Sequence, residues 1–254
     1  MRHLVMRLEA PLMAFGGETI DNYGVIRRFP SASMLTGLLA NALGWHRSDA
    51  ERHQHLQDRL VFAARIDREP AGGMRLTDFQ TAQLGASDTG WTTRGQPEGR
   101  AGGANTYNAP HLRYRDYFAD MRVTVALRLE PDDSPTLDDL MSALEEPSRP
   151  LFIGRKPCLP SSPMFVDFAE GDMSLHALMA SQTEEDSDDS NILAAMWPAN
   201  EVMDADERVE ISRRYMLTDQ RNWVSGLHGG GRWVCEGSVR NERGVQCWGT
   251  SGTQ

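Results

Sequence analysis

The sequence predicts an α+β protein with a ferredoxin-like, RRM-like split βαβ domain, a long β-hairpin thumb and an irregular, β-rich C-terminal extension. The main observation is the order of its strong elements: strand, helix, strand, long excursion, strand, helix, strand. The second is a Gly-, Asn- and Thr-rich excursion between the second and third of these strands, which is longer than an ordinary loop. The same topology occurs in RNA-recognition modules, although a fold does not establish a function.

The first strand and the first helix have clear patterns. Residues His3 to Leu8 predict a strand. Apolar residues recur at helical spacing from Leu35 to Leu43, Ser31 and Ser33 precede them as N-cap candidates, and Gly44 follows as a stop. We therefore predict a strand followed by a capped amphipathic helix.

Short apolar runs and one amphipathic segment supply the other elements of the core. We predict strands over Leu60–Ile66, Leu76–Gln83, His111–Phe118, Met121–Leu129 and Leu151–Ile153, and a helix over Thr136–Glu146. The run Met121–Leu129 alternates between two faces, which predicts a half-buried strand. Gly154 and Pro157 end the last run.

Changes in composition predict the domain organisation. We expect a core domain over residues 1–168 with a thumb insertion at about 80–118, followed by an extension over 169–254 that contains an acidic loop at 183–210. Within the extension we predict strands at 163–168, 210–217 and 232–239 and a short helix at 173–180.

Composition excludes several classes of protein. The chain is 40% apolar and 24% charged, as is typical of soluble globular proteins. No apolar stretch approaches the about 20 residues of a membrane helix, and the N-terminal residues lack a signal-peptide core, so we expect a cytoplasmic protein without a membrane partner. Its three cysteines lie far apart, and no GxSxG, GxxxxGK[ST] or GxGxxG motif occurs, so we expect no metal and no cofactor.

The net charge of −10 is distributed unevenly. Residues 183–210 carry ten acids and one base, while the rest of the chain has 25 bases and 26 acids. Arginines cluster outside the acidic segment, and Lys156 is the only lysine. An acidic protein of this kind can still bind RNA through basic patches.

Five motifs, in order over residues 3–168, carry a resemblance to a known family. They are Leu8–Gly16, Pro30–Gly44, Thr77–Thr81, Tyr114–Tyr117 leading into Val123–Leu127, and Phe152–Cys158. On these segments the chain resembles the CasD family, which is the 5′-handle-binding subunit of the type I-E CRISPR surveillance complex, Cascade.

The resemblance implies a repeat-associated RNA-binding fold with a projecting thumb. It also implies a non-catalytic role: the subunit caps the 5′ handle of the CRISPR RNA (crRNA), contacts the backbone subunit and the large subunit, and meets target DNA only through the complex. Residues 1–168 are then the RNA-binding domain.

The residue chemistry fits this role, because a single strand is held by cations at its phosphates and by planar groups at its bases. Arg113, Tyr114 and Arg115 combine both types, with the arginines on one face and the tyrosine on the other. Arg27 and Arg28 precede a helix start that favours anions, and Arg155 and Lys156 follow Gly154. The candidate RNA-binding residues are Arg27, Arg28, Ser31, Ser33, His111, Arg113, Tyr114, Arg115, Arg155 and Lys156.

Two alternatives remain. A related branch in type I-C systems resembles this fold and cleaves precursor crRNA without metal; here Tyr114 or His111 would be the base and Lys156 or Arg155 the cation. The chain can also be a general RNA-binding scaffold, which accounts for the element order but not for the five motifs.

Overall fold

The computed structural model describes residues 1–17, 22–73, 75–83, 90–91, 97–98, 111–132, 134–181, 192–201 and 206–240. The strands within these ranges are β1 (Arg2–Glu9), β2 (Leu12–Met13), β3 (Tyr23–Gly24), β4 (Leu60–Arg68), β5 (Arg75–Ala82), β6 (Gly90–Trp91), β7 (Pro97–Glu98), β8 (His111–Ala119), β9 (Arg122–Leu129), β10 (Phe165–Glu170), β11 (Ile192–Pro198), β12 (Val209–Arg221) and β13 (His228–Arg240). The helices are α1 (Ala32–Ala42), α2 (Ala50–Arg59), α3 (Leu137–Glu145) and α4 (Ser174–Ala180), with a 3₁₀ turn at Ala71–Gly73. No helix in this part of the chain has the length and apolar character to span a bilayer.

A seven-stranded sheet forms the centre of the molecule. Its strand order is β10-β1-β9-β4-β11-β13-β12, and every neighbouring pair is antiparallel. The strands of the C-terminal extension continue this sheet beyond β4, so residues on both sides of position 168 share one sheet. The mixed α+β class with a β-rich C-terminal part is confirmed.

Helices cover both faces of the central strands. On one face, Leu35 and Leu39 of α1 and Leu140 of α3 belong to the same apolar cluster as the odd-numbered residues of β9. On the other face, α4 packs over Ala126 of β9. The prediction of a half-buried strand at Met121–Leu129 is therefore wrong: residues 122–127 are all buried, because α4 covers the second face.

Local sequence signals explain how two helices begin. Ser31 is the N-cap of α1, and its Oγ accepts a hydrogen bond from the Met34 backbone N at 3.1 Å. Thr136 and Asp139 form a capping box at the start of α3. The helix α2 was not predicted, because it contributes mainly polar side chains such as Gln57 to the interior and lacks an apolar stripe.

The predicted strand at Leu151–Ile153 is wrong. These residues enter a turn in which the Ile153 N donates to the Cys158 O at 2.8 Å, and Gly154 has φ +86°. A Cβ at Gly154 would lie 1.8 Å from the Ala14 carbonyl oxygen, so the turn packs directly on another backbone segment. The strand after α3 is instead β10, which pairs with β1.

The predicted acidic loop at 183–210 is also wrong in part. Residues 192–198 form β11, which joins β4 to β13 within the large sheet. The side chains from Ala195 to Pro198 pack in the interior despite the flanking acids; Trp197, for example, is 1% exposed. Residues 182–191 and 202–205 lie outside the described residues.

A second, smaller sheet is built on β8. Its neighbours are β5, which is antiparallel with Arg75 opposite Phe118 and Ala82 opposite His111, β2, and the short parallel strand β3. The β5–β8 pair lies at the base of the predicted thumb. Residues 84–89, 92–96 and 99–110 of that insertion lie outside the described residues, whereas 90–91 and 97–98 form a two-stranded pair.

Candidate nucleic-acid interface

Three aromatic rings lie together on one face of the β3–β8–β5 sheet. Tyr114 of β8 is opposite Tyr23 of β3 and opposite Phe79 of β5, so the three side chains share a face. The Tyr23 and Tyr114 rings are stacked, with centroids 5.1 Å apart and an angle of 14° between their planes. The Phe79 ring lies 5.3 Å from the Tyr114 ring at 45°. We call these three residues the aromatic platform.

The aromatic platform is open to solvent. Tyr23 is 57% exposed and Phe79 is 53% exposed, while Tyr114 is half-buried between them. Clustered exposed apolar surface of this kind marks binding sites on soluble proteins. Stacked planar side chains in a strand are also the surface that receives splayed bases of single-stranded nucleic acid. The arrangement is therefore chemically suited to base stacking.

The sequence predicted Tyr114 as a site residue but missed Tyr23 and Phe79. Phe79 had a signal that was not used: it is a single large ring between the polar residues Thr77 and Thr81. Tyr23 had no such signal, because its place depends on a two-residue strand that pairs with β8 far along the chain.

Arginines occupy the opposite face of β8 and its edge. Arg115 is next to Gly24 of β3, and a Cβ built on Gly24 would lie 3.2 Å from the Arg115 Nη1 and 3.0 Å from the Arg155 Nη2. Two guanidinium groups therefore meet over Gly24, which gives a concentrated positive charge suited to phosphate. Within the described part of the chain, Arg115 makes no side-chain hydrogen bond.

Arg155 of this arginine pair also stabilises the local structure. Its Nη1 donates to the Asp116 O at 2.8 Å and its Nη2 donates to the Gly24 O at 2.9 Å. Its guanidinium also lies over the Tyr117 ring, 4.8 Å from the centroid. Arg155 thus joins β8 to β3, whereas its neighbour Lys156 is exposed in the turn.

The other two residues of β8 that were predicted lie near the platform. Arg113 donates through Nη1 to the Asn22 Oδ1 and to the Leu112 O, both at 2.8 Å, which fixes its side chain beside the start of β3. His111 is exposed at the first position of β8. The structure therefore brings His111, Arg113, Tyr114 and Arg115 into one strand, and Arg155 of the turn after Ile153 contacts that strand through its side chain.

The start of α1 differs from the expectation. Asp219 of β12 places its Oδ2 2.9 Å from the Ala32 N, so a carboxylate of the chain itself occupies the helix N-terminus. Arg232 holds the same carboxylate at 3.0 Å, and Asp219 is buried. The Ser33 Oγ lies 3.3 Å from the Ser31 Oγ. These contacts give Ser31 a capping role and fill the position expected for a phosphate.

Arg27 and Arg28 lie between β3 and α1. Arg28 is exposed and forms an ion pair with Glu69. Arg27 is half-buried, and its backbone N donates to the Phe15 O at 2.7 Å. In sequence these two arginines therefore come shortly after Tyr23 and Gly24 of β3, but they do not belong to the sheet that carries the platform.

The described residues contain no group of three or more His, Cys, Asp or Glu that could hold a metal ion. Cys158 and Cys235 are buried, and burial raises the pKa of each thiol above its ordinary value. Cys247 lies outside the described residues.

Comparison with protein families gives a match over most of the chain. The family described as CRISPR-associated protein (Cas_Cas5) matches residues 3–235. The chain belongs to the Cas5 family. The resemblance to CasD that the sequence motifs carried is confirmed by a second comparison: the chain is 28% identical over 177 residues to the CRISPR system Cascade subunit CasD of Escherichia coli (strain K12), covering 70% of this chain and 75% of that protein.

Solved structures share the fold of this Cas5 protein. A chain of a CRISPR RNA-guided surveillance complex superposes with a TM-score of 0.63 at 22% identity, covering 94% of this chain and 90% of that one. A structure described as a Cas protein gives a TM-score of 0.57 at 22% identity, covering 95% and 96%. At these identities the similarity shows the fold.

Proposed function

We propose that this Cas5-family protein is a non-catalytic subunit of a type I-E CRISPR surveillance complex that binds and caps the 5′ handle of crRNA. The observation that carries the proposal is the exposed aromatic platform next to the Arg115–Arg155 cluster. Family membership and the similarity to a Cascade subunit support the setting.

The geometry suggests how a single strand would be held. Bases would stack on Tyr23, Tyr114 and Phe79, and the backbone would pass around the edge formed by β3 to reach the positive charge over Gly24. Arg113 and Lys156 would add phosphate contacts beside this path. Each contact is independent of base identity except for the stacking strength, so the platform alone supplies affinity rather than sequence readout.

The finer features of the fold belong to the same proposal. Strand β9 lies between β1 and β4, and β10 flanks β1, so the order of strands and helices supports a ferredoxin-like split βαβ core. The β5–β8 pair supports a thumb that projects from that core. We further propose that the thumb contacts the backbone and large subunits, that target DNA is met through the complex, and that the assembly works in the cytoplasm.

The positions of the candidate catalytic groups favour a binding role over cleavage. Tyr114 lies on the platform face of β8, whereas Arg155 lies over Tyr117 on the other face and donates to two backbone carbonyls. A general base and a cation that act on one phosphate must reach the same point. Because Tyr114 and Arg155 lie on opposite faces of β8, they cannot act on one phosphate together.

The test uses labelled CRISPR-repeat RNA and a Phe79→Ala/Tyr114→Ala double variant. Base stacking contributes about 1–3 kcal/mol per base, so we expect the double variant to bind at least about tenfold more weakly by fluorescence anisotropy. The matched control is Val166→Ala, which shortens an apolar side chain that is 44% exposed on β10, away from the platform. Unchanged affinity in a folded double variant would contradict the platform assignment.

The same RNA also tests the non-catalytic role. We expect it to stay intact on a denaturing gel with and without EDTA. Discrete cleavage that needs no metal and disappears in Lys156→Ala or His111→Ala would instead assign the protein to the endoribonuclease branch.

A further inference from the structure

A second concave site lies on a different part of the molecule. A cavity of about 460 Å³ that is open to solvent lies between α2 and the hairpin that joins β12 to β13. Its walls are formed by Gln54 and Gln57 of α2, by residues 220–222, by Ser225 and Leu227 of the turn, and by residues 228–230. The platform residues do not contribute to it.

The chemistry of the lining points to an anion. The chain has 36 acidic residues, yet none of the lining residues is an acid, while Arg221 and His228 are cationic or can become so. Burial lowers the pKa of Arg221, and the charge of Arg47 lowers it further. Burial also lowers the pKa of His228, followed by the charges of Arg221 and Arg27. The charges of Arg221, Arg47 and Arg27 therefore make this part of the protein electropositive, which favours a bound anion.

The hydrogen-bonding groups of the wall are held in place. The Gln57 Oε1 accepts from the Arg221 N and from the Trp223 Nε1, each at 3.1 Å, and the Gln57 Nε2 donates to the Arg221 O at 2.9 Å. The Trp223 and His53 ring centroids are 4.7 Å apart, and the His53 and Trp45 ring centroids are 5.7 Å apart. Helix α2 thus anchors the backbone that presents Arg221, so little ordering is needed when a ligand binds.

Arg221 has unused capacity to donate a hydrogen bond. Its Nε is buried and has no hydrogen-bond partner among the residues that the structure describes. The Nε itself is closed off from solvent, but the rest of the guanidinium group also makes no hydrogen bond to the described residues, and a phosphate oxygen is a suitable acceptor for it. At Gly229 a Cβ would meet no atom within 4 Å, so the opposite wall leaves room for a ligand to approach the backbone.

We propose that this cavity is a second RNA subsite that binds a phosphodiester group of the strand held by the aromatic platform. The inference rests on the proposed function. The backbone provides the physical link: Arg27 follows Gly24 at the platform edge by three residues, and Ala32, five residues after Arg27, donates through its N to the Asp219 Oδ2 at 2.9 Å, two residues before Arg221. A strand that leaves the platform along Arg27 therefore moves toward Arg221. A free phosphate or nucleotide would satisfy the same donors without using that path.

The test compares Arg221→Gln with Arg52→Gln, using labelled repeat RNA that carries photoreactive uridines. Arg52→Gln is the matched control, because it removes one exposed arginine from α2. The Arg52 guanidinium carbon lies 4.3 Å from the Trp45 ring centroid, and the residue is outside the cavity lining. Loss of one charge-assisted contact predicts about tenfold weaker RNA binding for Arg221→Gln and no change for Arg52→Gln. Near-ultraviolet circular dichroism checks that both variants keep the wild-type packing.

Cross-link mapping separates this inference from the proposed function. We expect wild-type cross-links in peptides that span 75–82 or 111–119 and also in peptides that span 220–230, and only the latter set is lost in Arg221→Gln. Cross-links confined to the platform peptides, with wild-type affinity for Arg221→Gln, would overturn the second subsite and leave the platform in place. Absence of both sets would overturn both proposals.

Inorganic phosphate is the second probe. At constant ionic strength we expect it to leave the 220–230 cross-links intact, because the RNA is held at two places at once. Loss of those cross-links at phosphate concentrations that leave the platform cross-links unchanged would show that the cavity contact gains nothing from the strand held at the platform, and would overturn the proposal that one strand occupies both sites.

Discussion

The β1–β9 pair and the β5–β8 pair are both antiparallel ladders with large apolar side chains, yet they differ in what covers them. Strand β9 lies between two layers of helices, and Val123 and Val125 are fully buried. The β5–β8 pair has one face without a covering element among the described residues, and Phe79 remains 53% exposed there. Apolar side chains form the core in one pair and a candidate binding surface in the other, so the presence of a second layer decides their role.

Charged residues show the same difference. Arg65 of β4 is fully buried under α4, where its Nε donates to the Asp67 Oδ1 at 2.6 Å and its Nη1 donates to the Leu178 O at 2.8 Å. Arg115 of β8 lies half-buried beside Gly24 with another guanidinium as its neighbour. The cation inside the covered sheet is satisfied by the fold, whereas Arg115, which lies beside the edge strand β3 on the face opposite the platform, remains available to a ligand.

The largest expected effect comes from breaking the covered region. Arg65→Ala leaves the Asp67 carboxylate, whose side chain is 7% exposed, without its cation, so we expect the free energy of unfolding to fall by about 3–5 kcal/mol in urea denaturation. Arg115→Ala is the control from the smaller sheet and should change stability by less than about 0.5 kcal/mol. Similar stabilities for the two variants would show that the contrast between the regions is wrong.

The next effect concerns Arg155, which joins β8 to β3 under the platform. Arg155→Ala removes two hydrogen bonds from a charged donor to backbone carbonyls, and we expect a loss of about 1.5–3 kcal/mol. Lys156→Ala changes the adjacent exposed cation and should leave the urea midpoint within error of wild type. If the two variants weaken RNA binding equally while neither alters stability, Arg155 is a phosphate contact rather than a structural one.

A smaller effect is expected at the helix N-cap. Ser31→Ala removes the acceptor for the Met34 N, and we expect about 1 kcal/mol of destabilisation with unchanged RNA affinity. Ser33→Ala, two residues further along the chain, is the matched control. A drop in RNA affinity without a drop in stability would restore the sequence-based expectation that Ser31 binds phosphate.

The smallest expected effect is on the pH dependence of stability, through Glu9 of β1 in the covered sheet. Burial would raise the pKa of Glu9, but the hydrogen bonds and charges of Arg122 and Arg68 outweigh it and hold the pKa below its ordinary value of 4.5. The resulting stability is present above that value and is lost as the pH falls through the lowered pKa. Urea midpoints measured from neutral to acidic pH should therefore fall less steeply for Glu9→Gln than for wild type; identical slopes would contradict this.

The sequence predicted those elements whose pattern is set by local periodicity. The helix over Ala32–Ala42 and the strand over Arg122–Leu129 were predicted from their spacing alone. The run Leu151–Ile153 was misassigned, because a short apolar run looks the same whether it enters a sheet or a buried turn. The contact of Gly154 with the Ala14 backbone and the Ile153–Cys158 hydrogen bond distinguish the two, and neither can be read from the local sequence.

The candidate site was predictable in the same limited way. Tyr114 was found because it stands between two arginines in one strand, but its neighbours Tyr23 and Phe79 come from other strands. The cavity beside Arg221 escaped prediction, because its walls combine a polar helix with a hairpin more than 160 residues away in the chain. Long-range pairing of this kind leaves no periodic signal.

The most direct test of the platform is base stacking itself. Repeat RNA carrying a fluorescent adenine analogue at successive handle positions is titrated with wild-type protein and with the Phe79→Ala/Tyr114→Ala variant. We predict that at least one position shows strong fluorescence quenching with wild type that disappears in the variant, because the analogue loses its aromatic neighbours. Equal quenching by both proteins at every position would contradict the assignment of this face as the RNA-binding surface.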